Sequence, residues 1–318
     1  MRKSGVSISF ISISVLAFIL SFFIFGGSNK VSNLFTNVTN ISNVQPTPPP
    51  ASEPTPKPYT GPIVSIDFDD GWKNAYVEGL PILDKHGFKA TNALISSTIT
   101  AEDSGPYMEP KDVKNWLAKG NMIGSHSIDH SDLSTMSEES MLKQGKDSKA
   151  KLEAQFNTNI EYLVYPFCAS SDTSEKKLNQ FYTVQRVCGL SEPTTRQIIN
   201  PKEVDSKIVE KGTTTKEIQE WLDEAKKNNS WLILVYHKME KNPSDYMTIS
   251  PEAFAQQMQM LADSKIKVLP APIAYKEFMA GKEEESRILA QKKLEQEAAE
   301  LDKIKDSTEP ESTETTTK

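Results

Sequence analysis

The chain has 318 residues, 37% of them hydrophobic and 25% charged, with a formal net charge of -7. An acidic balance without a Lys/Arg cluster interleaved with aromatic residues excludes a polyanionic nucleic-acid partner and fits an uncharged or weakly charged substrate. Polar ends dilute the apolar content, and between them lies a middle of about 220 residues, enough to bury a full core.

Arg2 and Lys3 precede an apolar and serine run from Val6 to Phe25, and no charge occurs from Ser4 to Asn29. The run matches a bilayer core and exceeds the usual apolar stretch of a cleaved signal peptide. Residues 1–27 are therefore expected to be an uncleaved anchor that leaves the remainder outside the cytoplasm. Cleavage near Gly26-Gly27-Ser28, giving a secreted protein, is the alternative. Residues 28–60 carry Pro46-Thr47-Pro48-Pro49-Pro50 and Pro54-Thr55-Pro56-Lys57-Pro58 and read as an extended tether.

From Gly61 the pattern alternates. Strands are expected at Ile63–Phe68, Lys89–Ser96, Met122–Ser125, Tyr162–Phe167, Tyr182–Val187, Trp231–Tyr236 and Lys267–Leu269. Helices are expected at Ala75–His86, Lys111–Lys119, Ser137–Phe156, Thr215–Asn228 and Pro251–Asp263. Such alternation implies parallel βα units, in an open doubly wound sheet or a barrel, with chemistry gathered where strands end. Glu283–Asp306 reads as a solvated polar helix, with Leu294, Ala298 and Leu301 on one stripe, running into a Thr/Glu tail. The catalytic unit is thus expected over 61–280 and the polar helix and tail over 281–318. No G-x-G-x-x-G or Walker loop follows the first strand, so a nucleotide cofactor has no support.

The chemistry-bearing residues follow strand ends. Asp69-Asp70-Gly71 follows the first strand, His126 and His130 the third, Pro166-Phe167 closes the fourth, and His237 follows Trp231–Tyr236. The chain has four histidines, and only His86, beside Gly87 at a helix end, stands apart. Asp and Gly alone would mark a turn. With two histidines four residues apart they supply one carboxylate and two imidazoles, a metal-ligand set that leaves positions open for water and substrate. The neighbouring carboxylate then stays free to handle protons. Asp67 is open as a third ligand or an acceptor behind the ligands, and Asp129 as a partner for a ligand histidine. Cys168 and Cys188 each end a strand and can pair if those strands are neighbours. Trp72 and Tyr165 can offer ring faces to a sugar, whereas Trp231, opening an apolar strand, reads as core.

Over about residues 60–275 these motifs resemble the polysaccharide deacetylases, the NodB-homology or family-four carbohydrate esterases. Asp67-Phe68-Asp69-Asp70-Gly71 resembles the family's Thr-Phe-Asp-Asp-Gly, with Asp in place of Thr, and His126–His130 matches its His-Ser/Thr-x-x-His. Val164-Tyr165-Pro166-Phe167 resembles Arg-x-Pro-Tyr, and Val235-Tyr236-His237 resembles Leu-x-His. The resemblance implies an incomplete, distorted (β/α) barrel of the NodB type with parallel strands. It implies that Asp69 is the general base, that Asp70, His126 and His130 hold one divalent metal ion, and that His237 is the general acid. Zinc is expected first, with cobalt or manganese as alternatives. The Phe167 N–H would stabilise the carbonyl oxygen, while Tyr165, Pro166, Val235 and Trp72 would shape the groove. The implied reaction is N-deacetylation of an N-acetylhexosamine polymer such as chitin, peptidoglycan or poly-N-acetylglucosamine. The alternatives are an O-acetyl esterase on the same fold, or a glycan-binding surface protein. One departure stands out: the family's base-orienting Arg is Val164 here, and Arg186, near the end of the next strand, is the candidate to replace it.

Overall fold

Ile63–Asp70 forms strand β1, with all eight residues buried. Because side chains alternate along a strand, β1 feeds two different cores. Val64, Ile66 and Phe68 join one apolar cluster, and Ile63 joins the other. Ser65, Asp67 and Asp69 share the face of Ile63, so three polar side chains are threaded into a buried surface. The computed structural model describes residues 58–100, 104–190, 192–197 and 199–308. The expected anchor at 1–27 and most of the expected tether lie outside the described residues. Among the described residues no helix is long and apolar enough to cross a membrane.

The remaining elements follow in chain order. They are α1 (Lys73–His86), β2 (Thr91–Leu94), α2 (Pro110–Ala118), β3 (Met122–Ser125), α3 (Glu138–Phe156), β4 (Tyr162–Val164), α4 (Asp172–Leu178), β5 (Val184–Arg186), β6 (Lys207–Ile208), α5 (Thr215–Asn228), β7 (Trp231–Tyr236), β8 (Lys238–Met239), β9 (Thr248–Ile249), α6 (Pro251–Ser264), β10 (Lys267–Val268) and α7 (Ala271–Thr308). The main sheet runs β5-β4-β3-β2-β1-β7-β6, and its named strand pairs are all parallel. On one edge of β1, β10 pairs with Ile63 and Val64, and β2 takes over from Asp67 to Asp70. Strands β5 and β6 end the order without pairing to each other, so the parallel sheet forms an incomplete (β/α) barrel, as expected.

Local chemistry sets most helix ends. Ser137 caps α3 by accepting from the Ser140 N–H, Thr214 and Glu217 form a reciprocal box at α5, and Ser250 caps α6 ahead of Pro251. Several elements depart from the sequence reading, three of them near the site or at the end of the sheet. The strand expected to run to Phe167 stops at Val164, because Pro166 has no N–H to donate and Phe167 and Cys168 turn to φ values of 57° and 56°. The strand expected from Tyr182 starts at Val184. The polar helix expected from Glu283 begins at Ala271 and crosses position 280 unbroken. Its first turns place Ala271, Ala274 and Phe278 over the sheet face that carries Ile63, and it is exposed from Ser286 to Leu301.

Candidate active site

Strand ends deliver the site. Asp69 and Asp70 are the last residues of β1, His126 follows β3, His237 follows β7, and Arg186 ends β5. Parallel pairing brings all of these ends to the same edge of the sheet. Several residues there adopt the left-handed region that L side chains avoid: Asp70, Ser127, His130, Phe167 and Cys168 have φ between 56° and 73°. Such concentrated strain persists only where the surroundings over-determine it. At His130 one such restraint is visible, its N–H donating to Ser127 Oγ at 2.9 Å.

The ligand set is assembled around Asp70. Its Oδ1 lies 3.4 Å from His126 Nε2 and 3.3 Å from His130 Nε2, while its Oδ2 accepts from Trp72 Nε1 at 2.7 Å. The Nδ1–H of His126 donates to Val164 O at 2.8 Å, which fixes the ring and aims Nε2 at the carboxylate. Burial opposes charge on Asp70, but the His126, His237 and His130 rings hold its carboxyl well below the usual range. Asp70 Oδ1 is buried without a hydrogen-bond partner among the described residues. One ligand atom from each of the three residues lies within 4.8 Å of the others. An orphaned carboxylate oxygen facing two imidazole nitrogens fits a divalent cation, with positions left for water and substrate.

Asp69 is held differently. Its Oδ2 accepts from Arg186 Nη2 at 2.5 Å and lies 3.8 Å from His237 Nε2, while Oδ1 is buried with no hydrogen-bond partner among the described residues. Arg186 is thus the charged partner of Asp69. Burial pushes the His237 ring below its ordinary range, against the pull of Asp69 and Asp70.

Two roles that the sequence leaves open are not adopted in the structure. Asp67 is not part of the Asp70, His126 and His130 set; it faces Tyr162 and Arg186 inside the sheet, where burial pushes its carboxyl up to about 7 against the Arg186 charge. Asp129 supports neither histidine; it accepts from Ser131 and from Gln144 Nε2, an amide whose oxygen takes the Ile128 N–H.

The groove over this set is lined by Asp69, Asp70, Trp72, His126, His130, Tyr165, Phe167 and His237, together with both cysteines. Phe167 is 67% exposed and its ring packs edge-on against His130 at 4.5 Å. Trp72 stacks on Tyr107 at 4.6 Å, and Lys238 Nζ lies 4.5 Å from the Trp72 ring. Two expected groove residues do not line it. Pro166 is buried at the start of its turn, and Val235 lies in the core opposite Asp67. Cys168 and Cys188 form a disulfide with Cα atoms 5.3 Å apart, tying the Phe167 turn to the end of β5. Glu210, Lys238, Asp245 and Tyr246 also line the groove, and sequence reasoning missed them. Only Lys238, adjacent to His237, carried any signal.

The chain is similar to known proteins over part of its length. Residues 57–184 match the sequence profile of the polysaccharide deacetylase family. Bacillus subtilis YxkH, provisionally named a polysaccharide deacetylase, is 30% identical over 103 residues, which are 32% of this chain and 36% of YxkH. The peptidoglycan-N-acetylglucosamine deacetylase PgdA of Listeria monocytogenes is 32% identical over 90 residues, 28% of this chain and 18% of PgdA. The matched stretch is thus a minor part of either relative. A solved structure, the Xyl-CE4 domain of a multidomain xylanase from the hindgut metagenome of Trinervitermes trinervoides, superposes with a TM-score of 0.49 at 16% identity, covering 68% of this chain and 91% of that one. Residues 57–184 are thus similar to a polysaccharide deacetylase domain.

Proposed function

We propose that the protein is a metal-dependent N-deacetylase acting on an N-acetylhexosamine polymer. The observation that carries this reading is the division of labour between adjacent carboxylates, Asp70 facing two imidazoles and Asp69 facing an arginine. A divalent cation held by Asp70, His126 and His130 supplies Lewis acidity toward an acetyl carbonyl and toward water. Asp69 Oδ1, which has no hydrogen-bond partner among the described residues, takes the proton of the attacking water while Arg186 keeps Oδ2 in place. The Phe167 N–H donates to the carbonyl oxygen as negative charge develops there. His237 Nε2 protonates the departing amine, because an amide nitrogen leaves poorly as an anion. Trp72 and Phe167 offer ring faces to the sugar.

In the same reading the catalytic unit spans 61–280, and the segment Val6–Phe25 anchors it to a membrane, facing outward. The Cys168–Cys188 disulfide supports an oxidising compartment.

The test is acetate and free-amine release from N-acetylglucosamine oligomers by purified protein, stripped of metal and reloaded with zinc, cobalt or manganese. Equimolar acetate and amine are expected, lost on chelation and in His126→Ala. Activity that survives both treatments would sink the mechanism. Acetate released only from ester-acetylated xylan would make it an O-acetyl esterase instead.

A further inference from the structure

The role of Asp67 rests on the assignment of Asp69 as base, which leaves a second buried carboxylate on the same face of β1 without a task. Asp67 is 1% exposed. Its Oδ2 accepts a 2.7 Å hydrogen bond from the Tyr162 hydroxyl and lies 3.6 Å from Arg186 Nε. The far end of the same guanidinium donates from Nη2 to Asp69 Oδ2 at 2.5 Å and from Nη1 to Ser206 Oγ at 3.2 Å. Arg186 is therefore hydrogen-bonded at Nη1 and Nη2, while its Nε is buried without a hydrogen bond and faces Asp67 at ion-pair distance. A long side chain paired with one carboxylate alone can swing, whereas a planar fork held at several nitrogens has one orientation.

Tyr162 sits on β4, separated from β1 by β2 and β3, and its reach depends on the residues between. Asp69 pairs with Ala93 and Ala93 with Gly124; since Ser125 pairs with Leu163, Gly124 stands beside Tyr162. The row from Asp69 to Tyr162 thus crosses only Ala and Gly on the inner face. A Cβ on Gly124 would meet Tyr162 Cδ1 at 3.0 Å and Tyr162 O at 3.1 Å, so the ring lies in the space that this glycine leaves. A buried carboxylate on an otherwise apolar surface rarely improves stability over a hydrocarbon side chain. Its placement here is accounted for by what it holds.

We propose that Asp67, clamped by Tyr162 in the lane opened by Gly124, is a positioning residue for the base: it fixes the guanidinium of Arg186 and, through it, the orientation of Asp69. The residue acts through Arg186, so its effect vanishes when the fork is gone.

The experiment compares full-length zinc-loaded wild type with Asp67→Asn, Tyr162→Phe, Arg186→Lys and the double variant Asp67→Asn/Arg186→Lys. Asp67→Asn and Tyr162→Phe are expected to lower kcat about ten-fold with KM nearly unchanged, the pattern of a misaligned group. Adding Asp67→Asn to Arg186→Lys is expected to change kcat less than about two-fold. In parallel, NMR of 15N-arginine-labelled protein reads the Arg186 guanidinium directly, whether or not turnover occurs, and its signals are expected to shift in both single variants. Wild-type kcat in Asp67→Asn, an unmoved Arg186 signal, or a double variant in which the two losses multiply would overturn the proposal. Absence of acetate release from wild type with any metal would overturn the functional reading instead, and the NMR arm would still decide the positioning. Should Asp67→Asn fail to fold, Gly124→Ala displaces the Tyr162 ring without altering a charge. It is expected to reproduce both effects, and an unmoved Arg186 signal there would again overturn the proposal.

Discussion

The two faces of β1 differ in what they bury. On one, Phe68 meets the rings of Trp116, Tyr236 and Phe254 at centroid distances of 5.8, 5.9 and 5.7 Å, among hydrocarbon side chains. On the other, Ser65, Asp67 and Asp69 are buried just as deeply but meet hydroxyls, indoles and a guanidinium: Trp231 Nε1 donates to Ser65, Tyr162 to Asp67 and Arg186 to Asp69. The first face gains free energy from area removed from water. The second spends desolvation on polar groups whose pairing returns orientation more than stability. Adjacent residues on one strand can therefore be under opposite demands, and substitutions on each should separate the two.

The largest expected effect is on the polar face. Asp69→Asn should lower kcat by about 10²–10⁴-fold, the range for losing a general base, while the denaturant midpoint stays at or above that of the wild type. A variant that loses activity only in proportion to its folded fraction would collapse the distinction. Phe68→Ala should do the reverse. It should cost about 3–5 kcal/mol in urea unfolding and leave kcat per folded molecule near wild type. The groove rim offers a third case, where a covalent bond does the holding. Replacing both Cys168 and Cys188 with Ser opens a link across a sequence separation of 20, and should cost about 3 kcal/mol by loop-closure entropy. An unchanged midpoint would mean that the turn is held without the bond.

The smallest effect is a sign. Asp67 binds its proton more tightly in the fold, at about 7, than at its ordinary value of 3.8. What this site contributes to stability is thus full below about pH 4 and is lost as pH rises through 7. Asp67→Asn removes that slope, so its stability relative to wild type should rise between pH 5 and pH 8. Parallel curves would mean that Asp67 carries no such cost. Lower activity with better stability at high pH would mark the residue as one retained for orientation.

How much of this could be read beforehand depends on the scale of the signal. Long apolar or periodic runs were legible: Trp231–Tyr236, Met122–Ser125 and Thr215–Asn228 fall where the pattern places them. Strands of two residues, such as Lys207–Ile208, Lys238–Met239 and Thr248–Ile249, have no period to detect, and the groove residues beside them were missed for that reason. At the site, His126 and His130 were legible because both lie in one short segment. Arg186 was legible only as a strand end with a vacancy to fill. The task of Tyr162 was not, because it depends on Gly124 in a different strand, and nothing local in Tyr162-Leu163-Val164 records that neighbour.

At the other end of β1, Arg196 is 1% exposed and lies 4.3 Å from the Phe278 ring. It donates to the carbonyls of Tyr59, Thr60, Gly61 and Asn229 and to Glu285. Gly281 makes the approach possible, since a Cβ there would stand 2.4 Å from Tyr59 O. One side chain thus ties the segment leading into β1 to the helix that leaves the sheet. In mechanical terms, a pull on the chain at Tyr59 would have to break a set of hydrogen bonds that also hold Glu285 of α7 and Asn229 before β7. The catalytic edge lies at the far end of β1 from this cross-tie, about seven residues beyond Ile63 and so about 20 Å away.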